Sequence, residues 1–384
     1  MPARRLRLGM VGGGEGAFIG GVHRIAARLD DQFELVAGAL SSDPERAASS
    51  AAALRIAPER SYADFHDMAR AEAGRPDGID VVAIVTPNHL HHAPARAFLD
   101  AGIDVICDKP LARTLAEAED LLSAVTASGR VFVLTYNCTG YPMVRHAREM
   151  IAAGALGAIR IVQVEYLQEW LSTPLEASGH KQAAWRTDPE RSGAGGALGD
   201  IGTHAFNLAE FVTGLSCEAV AAELTAFVPG RRLDDNASML LRFAGGARGS
   251  LWCSQVAPGH ENGLRLRVYG ETGSIEWAQE HPNQLRHAPL GQAPLVLSRG
   301  GPAAGVAAAQ ATRLPAGHPE GYLEAFGQIY RDAATLIHAH RDGTRPAAEC
   351  ALLPGVADGL RGLRFVAACV SSNAGGSRMM PIEA

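Results

Sequence analysis

The chain has 384 residues, 47% apolar and 20% charged, which is the composition of an ordinary globular protein long enough for two domains. A net charge of −6 leaves no basic excess to neutralise phosphates, so nucleic acid is excluded as the main partner and an anionic membrane surface is not favoured. No apolar run reaches the roughly 18 residues of a membrane span, the N-terminus lacks a secretory signal, and the six cysteines form no C-x-x-C pair, so a reduced, cytoplasmic protein without structural zinc or disulfides is expected.

In chain order, Leu6–Val11 reads as a buried strand, followed by glycines and a helix through Val22–Leu29. Phe33–Leu40 is a second strand, and Pro44–Leu54 a helix that Ser41, Ser42 or Asp43 can cap. Strands at Val81–Val85, Asp104–Cys107 and Val131–Thr135 alternate with helices at His91–Ala101 and Leu115–Ser128, the latter two ended by Gly102 and Gly129. This alternation predicts a Rossmann-type parallel sheet over residues 1–140. Beyond it, Pro142–Ala153 reads as a connecting helix. Strand-like runs at Ile159–Leu167, Ala219–Phe227, Ser238–Phe243, Gly249–Ser254, Leu264–Tyr269 and Ser274–Trp277 have one helix among them, Thr203–Thr213. Residues 141–384 are therefore expected to form an α+β domain with a large, mostly antiparallel sheet. The stretch 289–317 reads as a surface loop, and helices at Tyr322–His340 and Pro354–Ser372 close the chain.

The glycine run Gly12-Gly13-Gly14-Glu15-Gly16 follows the first strand and precedes a helix. Glycines there let the backbone turn sharply and approach a pyrophosphate, whose charge the helix N-terminus stabilises. Gly12, Gly14, Phe18 and Ile19 are the expected contacts with NAD or NADP. An acidic residue at the end of the second strand commonly holds the NAD ribose. Here Ser41 stands at that point, and Arg46 is available for a 2′-phosphate. Cofactor choice stays open between the two.

Lys109, in Asp108-Lys109-Pro110, follows the Asp104–Cys107 strand, at the carboxyl end where open α/β sheets bind ligands. Pro110 restricts the backbone there. Asp200 and His204 are four residues apart after a glycine-rich stretch, which puts them on one face of a helix start. Oxidising a secondary alcohol requires removal of the hydroxyl proton, a task suited to histidine. Lys109 would favour the developing alkoxide. Asp200 would hold a neighbouring hydroxyl or orient the imidazole. No third and fourth ligands stand nearby, so a metal is not expected.

Together, Gly12–Gly14 with Gly20 and His23, Thr86-Pro87-Asn88-His89, Asp108-Lys109-Pro110, Trp185-Arg186 and Gly199-Asp200-Ile201-Gly202-Thr203-His204 resemble the Gfo/Idh/MocA oxidoreductases. That resemblance implies an active site lined by Lys109, Asp200 and His204, with Thr86, Pro87, Asn88, His89, Trp185 and Arg186 against the cofactor. Two departures stand out: Gly20 comes about three residues late, which suggests an expanded loop, and Asp108 replaces the usual glutamate. The resemblance further implies a sugar or polyol substrate and a homodimer or homotetramer. Tyr166, Gln168 and Trp170 alternate along a strand and offer the aromatic faces and amides that suit a polyol. Tyr136, Asn137 and His318 are further candidates, Asn137 for the cofactor and the other two for the substrate. The expected activity is reversible oxidation of a secondary hydroxyl on a sugar, glycoside or inositol. The alternatives are a cofactor-recycling epimerase or glycoside-cleaving enzyme, and a non-catalytic dinucleotide or sugar sensor.

Overall fold

A computed structural model describes residues 4–383. The chain divides into two compact units. The first runs to Asn137 and regains Tyr322–Leu360; the second is Cys138–Gly321 with the segment from Arg361 onward.

The first unit alternates β1 (Leu6–Gly12), α1 (Phe18–Leu29), β2 (Phe33–Ala39), α2 (Pro44–Ala53), α3 (Phe65–Ala73), β3 (Val81–Val85), α4 (His92–Asp100), β4 (Asp104–Cys107), α5 (Leu115–Ser128) and β5 (Phe132–Leu134). The strands form one parallel sheet in the order β2-β1-β3-β4-β5. All five residues of β3 are buried, as expected of a strand covered on both faces. Local chemistry sets the helix ends. Asp43 caps α2 by accepting from the Arg46 N–H, and Thr114 with Glu117 forms a capping box on α5, which Gly129 ends at φ 63°. Helix α3 has no counterpart in the sequence reading. Its signal is Asp64, which accepts from the His66 and Asp67 N–H groups.

The second unit holds α6 (Pro142–Ala152), β6 (Ile159–Leu167), α7 (Lys181–Arg186), α8 (Pro189–Ser192) and α9 (Thr203–Thr213). It continues with β7 (Cys217–Thr225), β8 (Asn236–Phe243), β9 (Arg248–Ser254), β10 (Gly263–Gly270), β11 (Gly273–Ala278), β12 (Gln284–Pro289), β13 (Leu295–Ser298) and α10 (Val306–Ala311). The closing elements are α11 (Tyr322–Arg341), in the first unit, α12 (Val356–Ala374), and β14 (Met380–Pro381). The nine strands lie in the order β13-β12-β11-β10-β6-β9-β8-β7-β14, antiparallel at every step except β6–β9. Strand β8 alternates strictly, burying Ala237, Met239, Leu241 and Phe243. Phe206 of α9 stacks on Phe365 of α12 at 4.1 Å.

Two sequence expectations need correction. The stretch 289–317 is not a bare loop: it carries β13 and α10. Arg299, whose side chain is almost fully buried, pairs with Glu320 and donates to the carbonyls of Leu314, Pro315 and His318 and to Asn283. One satisfied charge there replaces the apolar periodicity that a sequence reading looks for. The second concerns Tyr322–Leu360, read as part of the 141–384 domain but packed into the first unit. Phe326, Ile329, Tyr330, Ala333, Ala334 and Ile337 form one helical stripe on α11 and join the core with Val22 and Ala26 of α1.

Asp80 ties this unit together at the amino ends of its strands. It accepts from both guanidinium nitrogens of Arg4 (2.6 and 2.8 Å), from the Arg7 N–H (2.7 Å) and from Arg341 at the end of α11. Burial alone would raise its carboxyl, but these donors outweigh burial and hold it at about 2. A carboxyl with a depressed pKa contributes stability that is complete above its unfolded value, near 4, and is lost as pH falls toward 2. Asp80→Ala is therefore expected to cost about 2 kcal/mol in urea unfolding at pH 7, and progressively less below pH 4. An equal cost at pH 7 and pH 3 would refute this account. Among the described residues, no helix is long and apolar enough to cross a membrane.

Candidate active site

In an open α/β sheet the ligand crevice lies at the strand carboxyl ends, where strand order reverses. Here that point falls between β1 and β3, with Gly12 in register with Val85. The glycine loop therefore faces the loop that begins at Thr86. A Cβ on Gly20 would lie 2.4 Å from the Gly13 Cα, so these two glycines let α1 approach β1. Gly20 is thus not the late end of an expanded loop: α1 already begins at Phe18, and Gly20 is the point where that helix packs on β1. The α1 N-terminus has no side-chain cap and no acidic residue in its first turn, which leaves its positive end for an anion. Phe18 is 71% exposed beside it, and Ile19 is half-buried.

At the β2 end, the half-buried Ser41 hydroxyl accepts from the Asp43 N–H (3.1 Å), and Asp43 is engaged in capping α2. Arg46 is exposed on α2. Asn137, just after β5, is buried, and its Nδ2 has no hydrogen-bond partner within the protein. A glycine cradle, an uncapped helix end and an orphaned amide donor together fit a dinucleotide.

Lys109 is half-buried, and the peptide bond that joins it to Pro110 is cis. Its own N–H donates to Asp108 Oδ1 (2.9 Å), which also accepts from the Thr135 hydroxyl (3.0 Å). Behind Asp108 stands the fully buried His23, with Nε2 at 3.9 Å and Nδ1 at 2.8 Å from the Tyr330 hydroxyl. Burial would raise the Asp108 carboxyl, but His23 and Lys109 outweigh it and hold the group well below the usual carboxylate range. Buried His91 bridges two loops, with Nε2 at 2.8 Å from the Thr86 carbonyl and Nδ1 at 2.6 Å from that of Pro110. Burial pushes its imidazole down, against Asp108 and the two carbonyls. Of the Thr-Pro-Asn-His segment, Asn88 is buried while Thr86, Pro87 and His89 are half-buried. Tyr136 is buried at the end of the same sheet.

In the second unit, the glycine-rich run leads into a π turn, Leu198–Gly202, that passes directly into α9. The expected helix start at Asp200 is thus a π turn, a form that recurs at functional sites. Asp200 Oδ2 accepts from Gln255 Nε2 (2.9 Å) and Arg186 Nε (3.2 Å). Arg186 lies over the Trp185 ring at 4.2 Å and near that of Trp170 at 5.9 Å. His204 is buried, edge-on to Tyr166 with centroids 6.0 Å apart. The Tyr166 hydroxyl and Gln168 Nε2 both donate to Asn262 Oδ1, at 2.9 and 2.8 Å, and Trp170 Nε1 donates to Gln168 Oε1. Burial, aided by the Asp200 charge, pushes the Tyr166 phenol well up. His318 is exposed, with its ring nitrogen 3.3 Å from the Pro315 carbonyl. Sequence reasoning missed Gln255 and Asn262, which carry no motif, and His91, whose role depends on two carbonyls.

Sequence profiles of known families match both halves of the chain. Residues 6–137 match an oxidoreductase family with an NAD-binding Rossmann fold, and residues 144–276 match the GFO/IDH/MocA C-terminal domain. The chain belongs to the Gfo/Idh/MocA oxidoreductases. It carries an NAD-binding Rossmann domain and is an oxidoreductase of the sugar and inositol dehydrogenase type, acting on CH–OH groups. Among solved structures, an oxidoreductase from Sinorhizobium meliloti is 53% identical, with 98% of this chain and 100% of that one covered and a TM-score of 0.89. An inositol dehydrogenase homolog from Azotobacter vinelandii, solved with NAD+, is 39% identical over 99% and 98% of the two chains, with a TM-score of 0.93. A levoglucosan dehydrogenase of Pseudarthrobacter phenanthrenivorans is 33% identical over 315 residues, 74% of this chain and 76% of its own.

Proposed function

We propose that the chain reversibly oxidises a secondary hydroxyl of a cyclic sugar, glycoside or inositol-type polyol. The observation that carries this reading is the hydrogen-bonded run leading from Asp200: Gln255 donates to Asp200, Gln168 donates to Asn262 and accepts from Trp170 Nε1, and the Tyr166 hydroxyl donates to Asn262. Such a surface matches a neutral ring with hydroxyls at its rim and C–H groups on its faces. The relatives add support, since the Azotobacter homolog was also solved with NADH and myo-inositol, and levoglucosan dehydrogenase with NADH and levoglucosan.

The bound dinucleotide supplies the hydride acceptor. His204 takes the hydroxyl proton, Lys109 stabilises the alkoxide as it forms, and Asp200 holds a neighbouring hydroxyl. The glycine loop and the α1 N-terminus hold the pyrophosphate. Asn137 supplies a donor, and Thr86, Pro87, Asn88 and His89 border the cofactor. Ser41 adds no negative charge beside a 2′-phosphate and Arg46 adds a positive one, so NADP+ is expected to be used alongside NAD+. A parallel absorbance screen of sugars, glycosides and inositols with NAD+ and NADP+ tests both statements. Turnover of at least one cyclic polyol is expected. Tight dinucleotide binding without turnover of any of them would overturn the proposal.

A further inference from the structure

The loop that delivers Asp200 is held by a carboxylate that the reaction itself does not use. Asp234 stands just before β8, and its two oxygens accept separately from the N–H groups of Gly196 (2.7 Å) and Leu198 (2.8 Å). Its carbonyl accepts from Ala197 N–H at 2.9 Å. Three consecutive residues leading into the π turn, Gly196, Ala197 and its first residue Leu198, are therefore fixed by one aspartate, and Gly196 O then accepts from the Asp200 N–H at 2.9 Å. The fit is close: a Cβ on Gly196 would lie 2.0 Å from the Asp234 carbonyl oxygen. At the other end of the turn, a Cβ on Gly202 would lie 3.0 Å from Cys253 Sγ of β9.

We propose that Asp234 is a positioning residue, whose ionised carboxylate grips the Gly196 and Leu198 N–H groups and thereby aims Asp200, and whose protonation loosens that grip. This rests on the role given to Asp200 above. Each oxygen faces a donor, so adding a proton to either one sets two hydrogens against each other and removes one bond. The neighbouring Asp235 is ion-paired with Arg231 at 3.1 Å, whereas no cation among the described residues pairs with Asp234. The other titratable groups that face it are Asp235 itself and the thiols of Cys253 and Cys369, which burial pushes up and so keeps neutral. Burial, opposed by the two N–H groups and aided by the Asp235 charge, pushes the Asp234 carboxyl up to about 6.

The test compares kcat of the whole enzyme and its Asp234→Asn variant across pH. Asparagine mimics the protonated acid, so the ratio of the two kcat values is expected to be about tenfold at pH 8 and to approach one by pH 5. Any limb that both enzymes share, from His204 for example, divides out. A ratio that stays flat with pH, whether near one or far from it, overturns the proposal. Asp200→Asn is run alongside: its full retention of activity sinks the role of Asp200, whereas its loss with a flat Asp234→Asn ratio sinks only the present inference. Should Asp234→Asn fail to fold by circular dichroism, the wild-type amide resonances of Gly196 and Leu198 decide. They are expected to move together with a midpoint near pH 6, and their failure to do so overturns the proposal.

Discussion

Replacing His204 by Asn is expected to lower kcat by about 10²–10⁴-fold while NADH still binds with near wild-type affinity. The residue is buried and packs edge-on against Tyr166, so asparagine, a smaller polar side chain, removes the imidazole proposed as proton acceptor together with that ring contact. Lys109→Met should act through a different step. Its N–H bond to Asp108 is a backbone contact that survives substitution. The variant loses the ammonium proposed to stabilise the alkoxide, and with it one of the charges that hold the Asp108 carboxyl low, with an expected drop of about 10²–10³-fold. Steady-state absorbance gives kcat, and quenching on NADH titration gives cofactor affinity. Near wild-type kcat in both variants would remove the proposed chemistry.

The second large effect concerns the close approach of α1 to β1. Gly20→Ala places a methyl 2.4 Å from the Gly13 Cα, and backbone cannot move aside as a flexible side chain can. The helix must back away from the strand, at an expected cost of about 1–3 kcal/mol in stability. The helix N-terminus moves with it, so NADH affinity should fall by about tenfold or more. Gly21 is the internal control. A Cβ there meets nothing nearer than Arg24 Nη2 at 4.0 Å, so Gly21→Ala should be neutral or stabilising by about 0.5–1 kcal/mol. Equal melting temperatures and NADH affinities in the two variants would refute the close-packing role of Gly20.

How much of this was legible in the sequence depended on which physical rule was at work. The parallel strands were readable because burial on both faces makes them continuous apolar runs, as in Val81–Val85. Helix α5 was readable to the residue, bounded by a capping box and a glycine. Lys109, Asp200 and His204 stood out because each belongs to a residue type with specific chemistry in a recognisable setting. Their supports did not stand out. His91 acts by spanning two carbonyls, Asp234 by accepting from backbone N–H groups far along the chain, and Gln255 by reaching Asp200 from just beyond β9. These contacts are set by tertiary structure and leave no local pattern. The same holds for 289–317, whose order comes from buried Arg299 and from the anchoring of α10 by Glu149 through Ala307 N–H (2.8 Å). Helix α3 was missed because its face is short and one of its buried positions is Glu72, paired with Arg60.

The return of α11 to the first unit has a consequence for how the protein is made. On the ribosome, β1 to β5 emerge early, but the stripe that covers α1 is translated only after residues 138–321 have been added. Until then, Val22, Ala26 and Phe33 lack the α11 residues that complete their core, and His23 lacks the Tyr330 hydroxyl. The cofactor-binding half of the molecule therefore cannot mature in the order in which it is encoded. A nascent chain halted before residue 322 would hold its strands in place but leave the layer above α1 open to water and to chaperones.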